Sequence, residues 1–462
     1  MSLTTFVTGL SATQVKGLST SSVQKLDTAA VGALSATQVN ALSSSQLAVI
    51  DNNEIEMLKL SNVSTAALAG LTLGQLRAVN ASTEATAALG VGQVAGFSTG
   101  LVSQLQTADI DELSGAQIKE LTSKQLAALN ASQISATAIV NLDAAQVGKL
   151  TGAQVTALDA TAAAALTATQ LEGMSADGVA GLEAADITAL FAGSASKIAS
   201  LTTKAIAGLD AADILLLDAD GGGALTVDQI KALSSTQVTA LTSDEIGSWT
   251  QAKIEALSSK QIQALNISQL SDTQAGFLTA TQISAMSSAQ IGAVSTTAFG
   301  SWTAAQLGGI SAAGIAGLTA GQAAELTTAV DVNALNAKAF AALSTTHLAT
   351  LDAAVIGGLD ADHAKAMTTD QIVALTNAQI GGLTNVQVGA WSSTQIAALQ
   401  DGDLALFAAG TLDDISVGSL KGLSQNDINS LTDAQLDELT AGRETAFTAE
   451  QANWIIEAYT TV

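Results

Sequence analysis

Residues 10–57 read LSATQVKG, LSTSSVQK, LDTAAVGA, LSATQVNA, LSSSQLAV and IDNNEIEM. A large apolar residue returns every eight positions, and a Val, Leu or Ile follows it five places later. The commonest octad is Leu, Ser or Thr, two variable residues, Gln, Ile or Val, one variable residue, and Ala or Gly. The pattern continues through nearly the whole chain, so it predicts a protein built from stacked copies of one small unit.

The octad spacing excludes one continuous helix. Eight residues advance an α-helix by about 800°, which leaves about 80° of drift per repeat and no continuous apolar face. Within each octad, however, Ser or Thr stands three residues before Gln, which is the spacing of a capping box. Asp, another N-cap residue, replaces Ser or Thr in octads such as LDAAQVGK. We therefore expect one short helix per octad, with a glycine of positive φ where Gly closes the octad.

Helices this short need neighbours, because isolated helices below about 12 residues are marginal in water. Stacking would bury the Leu, the Ile or Val and the Ala in a narrow shared core, with the variable positions outside. The predicted fold class is an all-α solenoid, or superhelix, of very short helices over residues 1–446. A β-solenoid is the alternative, and abundant Ala and Gln favour the helical form. Trp249, Trp302 and Trp391 replace the octad Leu, so we expect them in the core.

A longer repeat is superimposed on the octads. In two segments, Leu129–Leu142 and Leu265–Leu278, the spacing from one Leu to the other is 13 positions. The octads around them match, including Gly178 and Gly314 where Gln is expected. We infer an internal duplication over about 121–256 and 257–406. Residues 447–462, FTAEQANWIIEAYTTV, are expected to form a longer C-terminal helix that acts as a cap, an assembly element or a secretion signal.

Composition narrows the classes of partner. The chain has 462 residues, a net charge of −25, no Cys and no Pro. We predict no nucleic-acid partner, because binding along phosphates needs a basic track and the 16 Lys and Arg do not form one. No apolar run reaches about 18 residues, so no membrane span is predicted. The start, MSLTTFVTGL, lacks a basic segment before an apolar core and does not resemble a cleaved secretory signal.

One segment resembles a calcium-binding loop. DADGGGALTVDQ, at residues 218–229, is similar to the twelve-residue loop of EF-hand proteins. The candidate calcium ligands are Asp218, Asp220, Thr226 and Asp228. The loop departs from the pattern in having Gly at the fifth place and Gln229 instead of the bidentate Glu. An N-cap Asp in a glycine-rich octad accounts for the same residues without calcium.

The chain offers few residues for catalysis. His347 and His363 occupy the Gln position of octads two repeats apart. If two octads made one superhelical turn, they would stack beside Asp362 and form a metal site. Surface or capping histidines are the alternative. Without Cys, and with both His in repeat positions, no nucleophile, base and orienting group are evident, so we predict that the protein is not an enzyme.

The outer face and the ends of the stack favour association. Outward positions are mostly Ala, Ser, Thr, Gly and Asn, which leaves a weakly charged surface. The octads begin almost at residue 2 with no evident polar cap, and uncapped solenoids tend to stack end to end. The residues expected to join one copy head to tail with the next are Leu3, Phe6, Val7, Trp454, Ile455 and Ile456.

In general character the chain resembles bacterial surface and secreted proteins built from repeats, including S-layer proteins and type I-secreted adhesins. It is acidic, Cys-free, Lys-poor and rich in Ala, Thr, Ser and Gly, although the GGxGxDxUx calcium repeats are absent. The resemblance implies export without a cleaved N-terminal signal and an extracellular or cell-surface location. A cytoplasmic location stays open, because the absence of Cys fits either compartment.

These features lead to a functional prediction. We expect an extracellular structural protein that self-assembles into a filament, sheath or lattice, with other copies of itself and cell-surface components as partners. A monomeric scaffold that binds a protein or peptide is one alternative. A calcium-dependent adhesin is another, and calcium is the one cofactor that the sequence suggests.

Overall fold

The computed structural model describes residues 1–81, 89–217 and 225–460. Within these ranges it contains 47 α-helices and eight 3₁₀ helices, and no strand. The helices are short and follow one another in the octad pattern. The prediction of an all-α solenoid is confirmed, and the β-solenoid alternative is wrong.

The chain divides into two compact units, Met1–Ala240 and Leu241–Val462. The internal duplication inferred from the sequence stays a prediction. In the described residues of the first unit the α-helices are α1 (Leu3–Thr8), α2 (Ala12–Lys16), α3 (Thr20–Val23), α4 (Thr28–Gly32), α5 (Ala36–Asn40), α6 (Ser44–Leu47), α7 (Asn52–Ile55), α8 (Thr65–Leu68), α9 (Leu73–Ala81), α10 (Thr99–Val102), α11 (Thr107–Asp111), α12 (Gly115–Lys119), α13 (Ser123–Ala128), α14 (Ala136–Ile139), α15 (Ala144–Val147), α16 (Gly152–Thr156), α17 (Ala160–Ala164), α18 (Ala168–Gly173), α19 (Ala176–Ala180), α20 (Ala184–Phe191), α21 (Ala195–Ser200), α22 (Thr203–Ile206), α23 (Ala211–Leu216), α24 (Val227–Ala232) and α25 (Ser235–Ala240).

In the described residues of the second unit the α-helices are α26 (Ser243–Gly247), α27 (Gln251–Glu255), α28 (Ser259–Ala264), α29 (Asp272–Ala275), α30 (Ala280–Ser284), α31 (Ser288–Ala293), α32 (Thr296–Gly300), α33 (Ala304–Gly308), α34 (Ala312–Ile315), α35 (Ala320–Ala324), α36 (Ala329–Ala334), α37 (Ala337–Ala341), α38 (Thr345–Thr350), α39 (Ala353–Gly357), α40 (Ala361–Ala366), α41 (Thr369–Val373), α42 (Asn377–Gly381), α43 (Asn385–Ala390), α44 (Ser393–Ile396), α45 (Gln425–Asn429), α46 (Asp433–Thr440) and α47 (Ala449–Thr460). The 3₁₀ helices are Leu60–Asn62, Val91–Gly96 and Ala131–Gln133 in the first unit, and Ile267–Gln269, Leu404–Leu406, Leu412–Asp414, Leu420–Gly422 and Glu444–Ala446 in the second.

Each unit is a stack in which a helix packs on the third helix along the chain. In the first unit α16 packs on α19 and α17 packs on α20, and in the second unit α34 packs on α37 and α37 packs on α40. Three octads therefore make one turn of the stack. The octad Leu and the Ile or Val point inward and form the core, as the sequence predicts.

The three tryptophans at the octad Leu position are also buried, as predicted: Trp249, Trp302 and Trp391 are 3%, 6% and 1% exposed. Burying a large apolar side chain of this kind contributes about 1.5–3 kcal/mol. The stack therefore owes its stability to contacts between turns, and no single helix of four to six residues would persist alone.

The two 13-residue breaks have one structural form. In each, a five-residue step precedes an ordinary octad, and the step carries a 3₁₀ helix, Ala131–Gln133 in one and Ile267–Gln269 in the other. A third such step carries the 3₁₀ helix Leu60–Asn62. A 3₁₀ helix rises more per residue than an α-helix, so a shorter segment can span the corner. Each break thus makes one turn shorter in sequence, and the turns continue to stack across it.

The glycines that close octads do not adopt positive φ, so that prediction is wrong. Gly17 has φ of −85° and continues the helical conformation. Many of these glycines are needed for a different reason, which is the close approach of two turns. A Cβ on Gly173 would lie 1.8 Å from the carbonyl oxygen of Ala144, and one on Gly317 would lie 1.9 Å from that of Ser288. In the described residues positive φ is confined to Gly193, Gly402, Gly410 and Gly442.

This packing predicts that Gly173→Ala destabilises the stack by about 1–3 kcal/mol, because the added methyl forces two backbones apart. The matched control is Gly100→Ala in α10, where the Cβ would meet only the Ser98 hydroxyl at 3.9 Å. There we expect no loss, and a gain of about 0.4–1 kcal/mol from the stiffer unfolded chain. Thermal unfolding followed by circular dichroism measures both, and equal effects of the two substitutions would contradict the close-approach account.

Candidate functional site: a ladder of buried glutamines

The glutamine at the fifth octad position caps its own helix. The backbone N–H of Ser11 donates to Oε1 of Gln14 at 2.8 Å, and the N–H of Gln14 donates to the Ser11 hydroxyl at 3.2 Å. Gln117, Gln237 and Gln395 make the same reciprocal bonds with their own N-cap serines. The predicted capping box is confirmed at all four positions.

The other half of the same amide joins successive turns. Nε2 of Gln154 in α16 donates to the carbonyl oxygens of Leu126 and Leu129, at 2.8 and 2.9 Å. These carbonyls lie at the end of α13, where a helix has no internal donors for its last carbonyl groups. One amide therefore satisfies the N-terminus of its own helix and the C-terminus of a helix in the preceding turn.

We call this set of cross-turn amides the glutamine ladder, and each residue with its acceptors a rung. Other rungs with at least two cross-turn carbonyl acceptors include Gln38, Gln46, Gln75, Gln125, Gln170, Gln229 and Gln237 in the first unit, and Gln274, Gln282, Gln290, Gln322, Gln371, Gln379, Gln395 and Gln451 in the second.

The sequence separation between a glutamine and its acceptor carbonyl becomes smaller at the five-residue steps. Gln38 donates to the carbonyl of Leu10, which is 28 residues earlier. Gln75 follows the step at Leu60–Asn62, and its nearer acceptor, Ile50, is only 25 residues earlier. The step thus removes three residues from one turn without breaking a rung.

The chemistry of the rung explains why the octad contains Gln. Gln154 and Gln371 are 4% and 1% exposed, and a buried amide left without partners would cost about 1–3 kcal/mol. Glu is the other common residue of capping boxes, but an ionised carboxylate has no hydrogen to donate. Two octads that carry Glu at this position, with Glu54 and Glu245, keep it partly exposed.

Other donors replace the amide at some positions. Nε2 of His363 lies 2.8 Å from the carbonyl oxygen of Leu335, and its Nδ1 lies 2.8 Å from the Asp360 carboxylate. Arg443 donates to two carbonyls of the preceding turn, those of Leu412 and Ile415. Both replacements direct an N–H group at the preceding turn, whereas octads with Ala at this position, such as those of Ala30 and Ala205, have no side-chain donor there.

Carboxylates also occur at the fifth position. In the first unit Asp109 receives two hydrogen bonds from Arg77 of the preceding turn, at 3.0 and 2.8 Å. The hydrogen bond from Arg77 holds the pKa of Asp109 below its usual value. In the second unit Asp403 and Asp427 are 6% and 2% exposed, and burial raises the pKa of both carboxyl groups.

The candidate calcium ligands fall partly outside the described residues, because Asp218 and Asp220 lie in the gap between 217 and 225. Thr226 accepts a hydrogen bond from the backbone N–H of Gln229 and begins α24. Asp228 lies 3.4 Å from the ammonium group of Lys231. Among the described residues no group of three or more His, Cys, Asp or Glu is placed to hold a metal ion. Calcium binding stays a prediction.

The two histidines do not meet the condition for a stacked metal site. α38, which carries His347, packs on α35 and α41, whereas α40, which carries His363, packs on α37 and α43. A turn takes three octads, so positions two octads apart do not lie above one another. The proposed pair beside Asp362 is therefore wrong, and His363 is a capping residue of the ladder.

The residues expected at an assembly contact have different environments. Leu3 and Phe6 on α1 are 42% and 55% exposed, and Ile456 on α47 is 63% exposed. Trp454 is half-buried. Val7 and Ile455 are 1% and 8% exposed and lie in the cores of their own units.

The ladder is the functional feature that sequence reasoning missed. The Ser-x-x-Gln spacing predicts the cap but carries no sign of the second role of the amide. The one signal in the sequence was the strong preference for Gln over Glu, which a capping box alone does not explain.

No helix in the described residues has the length and apolar character needed to cross a membrane.

The ladder predicts that Gln371→Glu lowers the free energy of unfolding by at least about 1–3 kcal/mol at pH 7, because the change keeps the cap acceptor and removes the cross-turn donor. The matched control is Gln14→Glu, which alters the same capping box at an exposed residue. We expect its effect to stay within about 0.5 kcal/mol. Chemical denaturation of both variants measures the difference, and a similar loss in both would mean that the cap alone matters.

Comparison with known proteins agrees with the repeat architecture. Residues 102–136 match the model of a family described as the ALTTAQ repeat. The letters ALTTAQ follow the octad from its closing Ala, through Leu and Thr, to Gln. No curated protein matches the chain. The matched segment covers a small part of the sequence, and it identifies the chain as a protein built from repeats.

Proposed function

We propose that this chain is an extracellular structural protein that self-assembles head to tail into a filament, sheath or lattice. The observation that carries the proposal is the exposure of the first turn, in which the side chains of Gln14, Leu3 and Phe6 are all exposed. The corresponding amides of Gln38 and Gln46 are 3% and 2% exposed, because a preceding turn covers them. The first turn thus presents to solvent a surface that interior turns bury.

A second copy of the chain is the partner that this surface fits. The contact between turns repeats through each unit, so a face built for one turn can accept another turn of the same design. α47 supplies the complementary side, with Ile456 and Tyr459 exposed at 63% and 37%. A contact between two different faces of one molecule is heterologous, and it gives open fibres unless the rotation closes a ring.

The proposal also includes the location of the protein. An acidic, Cys-free and Lys-poor composition supports a place among bacterial surface and secreted proteins, with cell-surface components as further partners. The match to the ALTTAQ repeat supports the repeat-built architecture on which assembly would depend. We assign the chain no catalytic activity.

The proposal predicts that Phe6→Asp or Ile456→Asp turns wild-type polymers into folded monomers, because a charge on either face would have to be buried without a partner. The matched controls are Val140→Asp and Val330→Asp, since these residues are 48% and 71% exposed and belong to neither α1 nor α47. We expect the controls to polymerise like the wild type. Light scattering over a concentration series and electron microscopy measure assembly, and circular dichroism verifies folding.

The same measurement separates the alternatives. Wild-type protein that stays monomeric at high concentration, with and without calcium, would contradict self-assembly and favour the monomeric binding scaffold. Polymers or clusters that form only with calcium would instead favour the calcium-dependent adhesin. Control variants that lose assembly to the same extent as Phe6→Asp would show that the contact does not involve the end faces.

A further inference from the structure

The rung at Asp427 lacks a donor in the structure. Oδ2 of Asp427 accepts hydrogen bonds from the backbone N–H and the hydroxyl of Ser424, at 2.8 and 2.7 Å, and so performs the capping role of a glutamine Oε1. Oδ1 takes the place of the glutamine Nε2. It is buried and has no hydrogen-bond partner. Asp427 is 2% exposed, so water does not reach this atom freely.

Neighbouring rungs show which groups this oxygen should meet. Ser419 donates to the carbonyl of Trp391, 28 residues earlier, and Gln451 donates to carbonyls 28 and 31 residues earlier. The same register assigns the carbonyls of Ile396 and Leu399 to Asp427. An ionised carboxylate can only accept hydrogen bonds, and carbonyl oxygens offer it none, whereas a protonated carboxyl group can donate.

Negative charges surround Asp427 in the described part of the chain. Asp401 and Asp403 act on it from the preceding turn, and Asn426 donates to Asp401 at 2.9 Å. From α47, the carboxylate of Glu457 lies 3.5 Å from the side-chain amide of Gln425. No ion pair in the described part of the chain involves Asp427. Asp109, which stands at the same octad position, differs in that Arg77 supplies two donors.

We propose that a proton on Asp427 closes this rung, so that residues 399–431 are held more firmly at acidic pH than at neutral pH. The Oδ1–H group then donates to the preceding turn in the way that the Nε2–H of a glutamine does. When the proton leaves, the capping bonds to Ser424 stay and the cross-turn bond is lost. The second unit thus contains a rung that responds to pH, within a ladder whose glutamine rungs do not.

The direction of the pH effect follows from linkage. Burial, and then the negative charges of Asp401 and Asp403, raise the pKa of Asp427 in the folded chain. The unfolded value is about 3.9. The stabilisation is therefore fully present below about pH 3.9 and is lost as the pH rises through the folded pKa. Between these two values the equilibrium constant for opening changes by up to about tenfold per pH unit.

Hydrogen exchange of the full chain between pH 5 and 8 tests the proposal. In the wild type we expect amides of residues 424–431 to lose protection as the pH rises, after correction for intrinsic exchange. In the Asp427→Asn variant these backbone amides should stay protected at every pH, because the side-chain amide of Asn donates a hydrogen bond at acidic and at neutral pH. Asp433→Asn is the matched control, since Asp433 is exposed at the start of α46 and the change in charge is the same. It should behave like the wild type.

Two results would overturn the proposal. One is wild-type protection in residues 424–431 that does not change with pH, and the other is a pH dependence that persists in Asp427→Asn. If Asp427→Asn does not fold, carbon-13 labelling of Asp carboxyl groups in the wild type gives a direct reading. A carboxyl group assigned to Asp427 that titrates above the exposed Asp groups supports the proposal, and one that titrates with them contradicts it.

Discussion

The two-sided hydrogen bonding of one glutamine amide is the interaction on which the stack depends. A helix leaves its first four N–H groups and last four carbonyl groups without internal partners, so helices of four to six residues consist almost entirely of ends. In Gln154, Oε1 serves the start of its own helix and Nε2 serves the end of a helix one turn earlier. Both atoms belong to one planar group. One side chain therefore serves both helix capping and stacking, which links each helix to its neighbour wherever the amide meets a preceding turn.

This coupling explains which substitutions the octad accepts. His363 and Arg443 take the place of the glutamine because each directs an N–H group at the preceding turn. Closing glycines such as Gly173 belong to the same contact, since the turns that the amide joins come too close for a Cβ. The hydrogen bonds and the glycine are two parts of one requirement, which is a short distance between the backbones of successive turns.

The sequence contained the local half of this design. Ser-x-x-Gln predicted the capping box, and the apolar positions predicted the core, because both depend on residues within one octad. The cross-turn bond joins residues 25 to 33 positions apart, so it depends on the number of octads per turn, which no single octad specifies. The prediction of stacked histidines was wrong for this reason, whereas the positive φ expected of closing glycines was wrong because residues such as Gly17 continue the helical conformation. Val7 and Ile455 occupy the sixth and the first position of the octad register, and their burial agrees with the apolar pattern and not with a place in an exposed contact.

The identity of the fifth octad residue therefore sets how each part of the stack is held. An amide both accepts and donates at every pH, so a glutamine rung is constant, whereas a carboxyl group donates only when it is protonated. Asp109 avoids this dependence because Arg77 supplies the donors, but Asp427 has no such partner. Gln14 is the opposite case, because its side chain is exposed in the described part of the chain. Stability within the chain and association between chains would then rest on one chemistry, the supply of N–H groups to the carbonyl ends of short helices.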